Sequence, residues 1–178
     1  TCVGIYSLSA CTTGANNTMV GGWAGDVITT GANNVGLGLH AAGAITEGGT
    51  NTAIGAYALG ACTTASNNTA VGAYAGDAVT TGTNNTYLGT SAGGGITTGA
   101  QSVAIGTNAL LVATDPVNCT CVGHDAGKAI TEGDSNTYIG QGTGTATTTG
   151  AGNTALGNVA GDVVTTGSSV IDCCKKLE

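Results

Sequence analysis

Five ring-bearing side chains recur at a constant interval of 17 residues in the first half of the chain. They are Tyr6, Trp23, His40, Tyr57 and Tyr74. If each interval forms one coil of a stacked β structure, successive rings lie roughly 4.8 Å apart and make a flat strip. Two interpretations follow: the strip binds carbohydrate by lying against sugar rings, or the rings stack on one another at a corner of the coil.

Threonine recurs at the same interval without interruption. This threonine column consists of Thr12, Thr29, Thr46, Thr63, Thr80, Thr97, Thr114, Thr131, Thr148 and Thr165. Small side chains such as Ala44, Ala61 and Ala78 lie two residues before it, and we expect both sets to point outward. Ordered hydroxyls and methyls at a fixed spacing are what an ice-binding face requires, so the column from its second member onward is an alternative functional surface. Glu47 and Glu132 interrupt the position that follows it.

Residues suited to catalysis or metal binding are few and dispersed. The two histidines, His40 and His124, lie five intervals apart, about 24 Å on a regular rod, so they cannot share a site. Cys119, Cys121 and His124 supply three candidate zinc ligands but no fourth. The ten acidic residues do not follow the Gly-Gly-x-Gly-x-Asp register of calcium-binding repeats. We therefore predict a protein that is not an enzyme and that holds neither a metal ion nor a cofactor.

The composition excludes several classes of protein. Of the 178 residues 41% are hydrophobic and only 7% are charged, whereas intrinsic disorder needs low hydrophobicity and high charge. The net charge is −7 and the cations are Lys128, Lys175 and Lys176, so a nucleic-acid backbone would find almost no counter-charge. No apolar run of about 18 residues is present, so we expect no membrane span.

An aliphatic residue followed by glycine marks every interval. These anchors are Val3, Val20, Leu37, Ile54, Val71, Leu88, Ile105, Val122, Ile139 and Leu156. Ten anchors at a constant spacing of 17 residues, with no insertion, predict one supersecondary unit stacked on copies of itself. We assign residues 1–167 to this array, and residues 168–178 to a cap, a continuation or a terminal tail.

Each interval contains two candidate strands. The pattern Thr-x-aliphatic-Gly predicts a short strand, and side-chain alternation puts Thr69 and Val71 on one face, which we assign to the core. A second strand is predicted before the threonine column, with Val79 inward and Thr80 outward. Asparagine before the first strand, such as Asn68, suits a turn whose amides bond from coil to coil. The predicted fold is an all-β parallel β-solenoid of about ten coils, each with two short strands and two turns.

This assignment leaves two flat outer faces that carry small or apolar side chains. One bears alanine or valine beside the threonine column, and the other bears the residue before each anchor, such as Ala53 or Ala70. Since a monomer seldom exposes such a surface, we expect another chain to cover at least one face.

The seven cysteines do not form a regular ladder of disulfides. Cys11 and Cys62 share a repeat position three intervals apart, about 14 Å, which is beyond disulfide reach, so we interpret both as buried small residues. Cys173 and Cys174, near the end of the chain, are placed to join chains instead.

The repeat resembles that of a known group of fibre proteins. The segments NNTAVGAYAGDAVTTG (67–82), NTAIGAYALG (51–60) and NTYLGTSAGGGITTG (85–99) are similar to the NTAIG and TTG repeats of phage and algal-virus tail fibres and of trimeric bacterial adhesin heads. In the related adhesin heads each chain forms a left-handed parallel β-roll, and three rolls pack around a threefold axis. The resemblance, which spans residues 1–167, implies a left-handed coil and a homotrimer that buries the small-sided faces. It carries over no catalytic or ligand-binding residue.

Together these observations predict a structural or adhesive fibre segment at a virion or cell surface. We expect a piece of a longer extracellular fibre that presents a rigid repetitive surface and contacts cell-surface glycan through the five rings. The alternative function is ice binding through the threonine column.

Overall fold

The chain forms an all-β parallel solenoid. The computed structural model describes residues 1–162 and 165–173. In this part of the chain eleven short strands form one parallel sheet in sequential order. The strands are Cys2–Val3 (β1), Thr18–Val20 (β2), Val35–Leu37 (β3), Thr52–Ile54 (β4), Thr69–Val71 (β5), Thr86–Leu88 (β6), Val103–Ile105 (β7), Thr120–Val122 (β8), Thr137–Ile139 (β9), Thr154–Leu156 (β10) and Ile171–Asp172 (β11). Each residue pairs with the one 17 positions later, as Val71 does with Leu88, which confirms the predicted coil.

The prediction of two strands in each coil is wrong, because the described coils contain one strand each. Around the threonine column the backbone N–H groups of Thr29, Thr30 and Gly31 all donate to the carbonyl oxygen of Thr46, at 3.0, 3.2 and 3.1 Å. Three successive donors that converge on one acceptor curl the chain, whereas a ladder gives each donor its own acceptor. The stretch therefore stacks coil on coil as a turn.

The assignment of the strand faces is also wrong. The residue before each anchor points inward, and Met19, Ala70, Tyr87 and Ala104 are fully buried. The anchor points outward instead, as Leu88 does with 45% of its surface exposed, and the threonine two residues earlier lies on that same outer face. The surface that we predicted to be core is thus the solvent face of the sheet, and the predicted outer column of residues before the anchors is core.

A buried column of asparagines fixes this orientation. The Nδ2 group of Asn34 donates to the carbonyl oxygen of Gly48 at 2.9 Å, across the interior of its own coil. Its Oδ1 atom accepts the backbone N–H of Asn51 in the next coil at 2.9 Å. The coil-to-coil bonding that we predicted for these amides is confirmed. Because the asparagine must point inward to make these bonds, the residue two places later also points inward, and the threonine and anchor point out.

The asparagine column continues through most of the array. Its members are Asn17, Asn34, Asn51, Asn68, Asn85, Asn136 and Asn153. Two coils substitute smaller groups: Ser102 donates to Pro116 at 3.3 Å, and the Cys119 thiol donates to Gly133 at 3.2 Å. Each substitute still reaches the carbonyl across its coil, so the column has no apolar interruption between Asn17 and Asn153.

Two inward positions share the remaining core volume. Where the residue before the anchor is large, the residue five after the anchor is glycine, as in the pair Tyr87 and Gly93. Where it is alanine, leucine can occupy the second position, as in Ala104 and Leu110. A Cβ atom added to Gly93 would collide with the Tyr87 ring. The core is therefore packed by complementary pairs in a space too thin for two large side chains.

The other inward positions agree with the sequence-based prediction. Val79 and Ile96, which precede threonines of the column, are fully buried, as is Ala75 at the bend. The cysteines divide, since Cys62 is buried and Cys11 is half-buried. β11 continues the ladder after residue 167 by pairing Thr154 with Ile171. Val163, Val164 and residues 174–178, which include Cys174, Lys175 and Lys176, lie outside the described residues.

Asn68→Ala tests the asparagine column. The change removes the bonds at 2.8 Å to the Gly82 carbonyl and at 3.0 Å from the Asn85 N–H, which leaves both backbone groups buried without a partner. We expect the free energy of unfolding to fall by about 2–4 kcal/mol in urea denaturation. Asn158→Ala, at an exposed asparagine, is the control and should change it by less than about 0.5 kcal/mol. Equal effects of the two substitutions would refute the role of the column.

Exchanging the volumes of Tyr87 and Gly93 tests the complementary pairs. Gly93→Leu overpacks the coil and should cost about 1–3 kcal/mol, and Tyr87→Ala leaves a cavity and should cost about 3–5 kcal/mol. The double variant reproduces the Ala104 and Leu110 pair, and we expect it to be more stable than the sum of the single costs by at least about 1 kcal/mol. Additive costs in denaturant titrations would show that the two positions do not share one space.

Candidate functional site

The five predicted rings form one continuous stack, here called the aromatic ladder, which comprises Tyr6, Trp23, His40, Tyr57 and Tyr74. Successive ring centroids are 5.9, 5.2, 5.1 and 5.3 Å apart, and the last pair is parallel to within 3°. The structure therefore brings all five predicted residues together. Mutual stacking, one of the two interpretations of the spacing, is confirmed, and carbohydrate binding stays a prediction.

A left-handed backbone conformation holds each ring at the corner of its coil. The φ angles of the five residues lie between 52° and 59°. This region is uncommon for residues other than glycine, and bulky side chains rarely enter it. Every ring therefore projects from the same tight turn three residues after its anchor, so the stack inherits its spacing from the coil.

The ladder is an offset stack. Parallel rings with centroids more than 5 Å apart cover only part of one another's faces, because contact between aromatic carbon atoms needs about 3.5–4.0 Å. Part of each ring face and the outer ring edges therefore remain available along the ladder. Tyr6, Trp23 and Tyr74 are exposed, and His40 and Tyr57 are half-buried.

The column changes its chemistry after Tyr74. The next coil carries Ser91 at the same position with the same backbone conformation, at a φ of 54°. Two coils further, the side chain of Asn108 donates to Asp125 at 3.1 Å. Tyr74 therefore has a ring on one side only, and the stacking surface ends there.

A groove runs beside three of the rings. It has a volume of about 360 Å³. Its lining consists of His40, Tyr57, Tyr74, Gly43, Ala44, Gly60, Ala61, Asp26 and Asp77. The rings form one wall, and the glycines and alanines keep the rest of the lining low. Sequence reasoning missed this groove, because its lining comes from positions three, six and seven residues after the anchor in successive coils.

Two carboxylates mark the ends of the groove. Asp26 and Asp77 occupy the same repeat position three coils apart, about 14 Å along the rod. Burial raises the pKa of the Asp77 carboxyl, although backbone N–H groups of Asp77 and Ala78 oppose the shift. Both salt bridges of the described residues involve Asp125 instead, so neither carboxylate of the groove has a cationic partner there.

No family model, curated protein or solved structure matches the chain. Within residues 1–162 and 165–173, no helix is long and apolar enough to cross a membrane.

The threonine column makes a hydrogen-bonded ladder of its own. From Thr12 to Thr148 each hydroxyl donates to the backbone carbonyl of the next member, at 3.0 to 3.3 Å. The hydroxyl protons are thus committed to the protein backbone, and only oxygen lone pairs remain for water or ice. Ice binding through this column stays a prediction.

The candidate zinc ligands do not converge. Cys119 and Cys121 are buried in the core, whereas His124 is exposed on the surface. In the described part of the chain, no group of three or more histidine, cysteine and acidic side chains is placed to hold a metal ion. His124 instead lies 3.4 Å from Asp125, whose pKa burial raises but whose bonds to Asn108 and Lys128 lower more strongly, so that the net shift is downward.

The solvent face of the sheet is a second surface of interest. It consists of the outward anchors and the residues two before them, and it is called here the sheet face. Leu88, Ile139 and Leu156 are exposed by 45%, 40% and 52%. The paired residues are threonine in seven of the strands β2 to β10 and valine in β3 and β7. Sequence reasoning placed these residues in the core because their alternation suits either face.

Ser91→Tyr tests whether the column can hold a sixth ring. The backbone of Ser91 already has the conformation of the ring-bearing corners, so a tyrosine there should stack on the open side of Tyr74. We expect a gain of about 0.5–1.5 kcal/mol in the free energy of unfolding, together with a stronger near-ultraviolet circular dichroism signal. Thr90→Tyr, one residue earlier on the exposed surface, is the control. Equal effects of the two substitutions would mean that the corner position does not direct stacking.

Proposed function

We propose that this chain is a rigid segment of an extracellular or virion-surface fibre, in which three copies cover one another's sheet faces. The observation that carries the proposal is the unbroken outward column of aliphatic anchors from Val3 to Leu156. A contiguous apolar surface of this length is unusual on a soluble monomer. The resemblance of the repeats to those of trimeric fibre proteins points the same way.

The width of the sheet face favours three copies around an axis parallel to the rod. The strands are two or three residues long, so the face presents only two columns of side chains, one of anchors and one mainly of threonines. In a threefold bundle each chain has two neighbours, and one column can face each of them. Such a closed arrangement buries the anchors of all coils in a continuous apolar centre. The small-sided faces first expected at the contact are not the ones used here.

The sheet face carries no charge between β1 and β10, since its outward residues are threonine, valine, leucine or isoleucine. Burial of this surface therefore does not require desolvation of charged groups, which would cost free energy. The outward threonines can bond across the contact or to trapped water. The face has the composition expected of the buried centre of a permanent interface.

The aromatic ladder remains available in this arrangement. It lies beyond the bend that follows each anchor, so it is not part of the sheet face. Three parallel ladders on one stiff shaft would bind a repetitive glycan surface with an avidity greater than that of one ladder. The role proposed for the chain is thus mechanical and adhesive, without catalysis.

Ice binding is the second candidate function. The outward threonines of the sheet face favour it, because they stand on a flat surface at the spacing of the strands. This face differs from the threonine column, whose hydroxyl protons are used internally. It is open to ice only in a monomer, so the oligomeric state separates the two functions.

Sedimentation equilibrium of the parent chain and of Leu88→Glu tests the proposed trimer. The 16.8 kDa parent should sediment as a trimer. Three glutamates buried near the axis should lower the association by at least about 2 kcal/mol per chain, because each charge loses its water without a partner. Thr81→Glu is the control, since it adds the same charge at a position where other coils carry Glu47 and Glu132.

The control should remain trimeric. A monomeric parent would overturn the fibre trimer, and measurable thermal hysteresis in that monomer would establish the ice-binding alternative. If Leu88→Glu and Thr81→Glu dissociate the trimer equally, the sheet face is not the contact.

A further inference from the structure

We infer that the groove beside the aromatic ladder binds an extended polysaccharide chain of β-1,4-linked glucosamine units with free amino groups. The inference deepens the proposed contact with surface glycan and rests on it for its biological setting. The groove itself belongs to a single chain, so ligand binding can be measured whatever the oligomeric state.

The dimensions of the groove suit a linear chain of pyranose rings. The ring centroids of His40, Tyr57 and Tyr74 repeat every 5.1 to 5.3 Å along the rod. This repeat is close to the rise of one residue in an extended β-1,4-linked polysaccharide, so one sugar can meet one coil. Glycine and alanine at positions 43, 44, 60 and 61 leave room for a flat ring against the backbone.

The ladder supplies the contacts that sugar rings use. The uncovered parts of the aromatic faces and edges can pack against the C–H groups of a pyranose, as aromatic side chains do with other apolar surfaces. The hydroxyls of Tyr57 and Tyr74 each provide a donor and an acceptor for sugar hydroxyls. These contacts favour a carbohydrate over a flexible basic peptide.

The charge of the groove selects among polysaccharides. Asp26 and Asp77 lie at its two ends, and the lining contains no lysine or arginine. The pKa of Asp77 is raised by burial, which indicates a carboxylate whose lost water is not replaced by a cation. An ammonium group would restore that interaction and form a charge-assisted hydrogen bond. Carboxylate- or sulfate-bearing polysaccharides would be repelled, and fully acetylated chains would lack the ion pair.

Isothermal titration of the whole chain with glucosamine hexamer and with N-acetylglucosamine hexamer tests the inference. The two ligands differ in the free amine, and we expect the glucosamine hexamer to bind roughly tenfold more tightly or better, as befits a hydrogen bond between charged groups. Asp77→Asn should remove most of that difference. Asp162→Asn is the matched control, because it removes the same charge at the same repeat position beside Val159, away from the rings.

A second pair of variants tests the ladder. Tyr57→Ala removes a ring that lines the groove, and we expect it to weaken glucosamine-hexamer binding at least about fivefold. Tyr6→Ala removes a ring that does not line it and should change binding less than about twofold. The solution charge is unaltered in both variants, so a difference between them reports contact with the ring.

Three results would overturn the inference: equal affinity for the two hexamers, equal weakening by Asp77→Asn and Asp162→Asn, or binding of a lysine hexapeptide without binding of glucosamine hexamer. The second result would indicate attraction to the overall negative charge alone. Sedimentation of the same samples reports the trimer separately, so a monomer that binds the hexamer refutes the fibre proposal but leaves the site intact.

Discussion

The buried asparagine column is the constraint on which the rest of the structure depends. Each side chain closes its own coil by donating across the interior, as Asn51 does to Ala65 at 2.8 Å, and it accepts the N–H of the next coil. One residue type thus sets the cross-section of the coil and its register with the next. Since buried polar groups are costly when unpaired, a coil displaced by one residue would lose both bonds at once. The regular spacing of every outer column follows from this internal bonding.

The same bonding makes the core thin, and this thinness explains the composition. A coil closed by a single asparagine side chain leaves little space between its walls. The interior therefore holds alanine at the bend, one medium aliphatic residue such as Ile96, and one large residue shared between two positions. Tyr87 can be accommodated because Gly76 and Gly93 flank its ring. Low charge and abundant glycine are consequences of a fold with little interior volume and tightly curved walls.

The sequence predicted the period, the parallel stacking and the aromatic stack, because each depends only on the spacing of 17 residues. It did not predict which face of the strand is buried. Thr69 and Val71 alternate with Ala70, and alternation alone is consistent with either face. The deciding residue was Asn68, which we interpreted as part of a surface turn although its amide spans the interior. The supposed second strand failed for a related reason: Thr80 has the residue type of a strand, but its N–H and hydroxyl share one acceptor, the Thr97 carbonyl.

A scaffold with these properties separates its surfaces from one another. The sheet face, the threonine column and the aromatic ladder occupy different positions in each coil, and in a solenoid each coil contacts only its neighbours. A corner residue can therefore change from Tyr74 to Ser91 without a change in the strand pairing, which remains in register from β5 to β6. The rings and the groove carboxylates occupy only the first five coils, whereas the aliphatic anchors continue through all ten. A surface that continues along the whole rod suits assembly, and one confined to half of it suits recognition of a ligand.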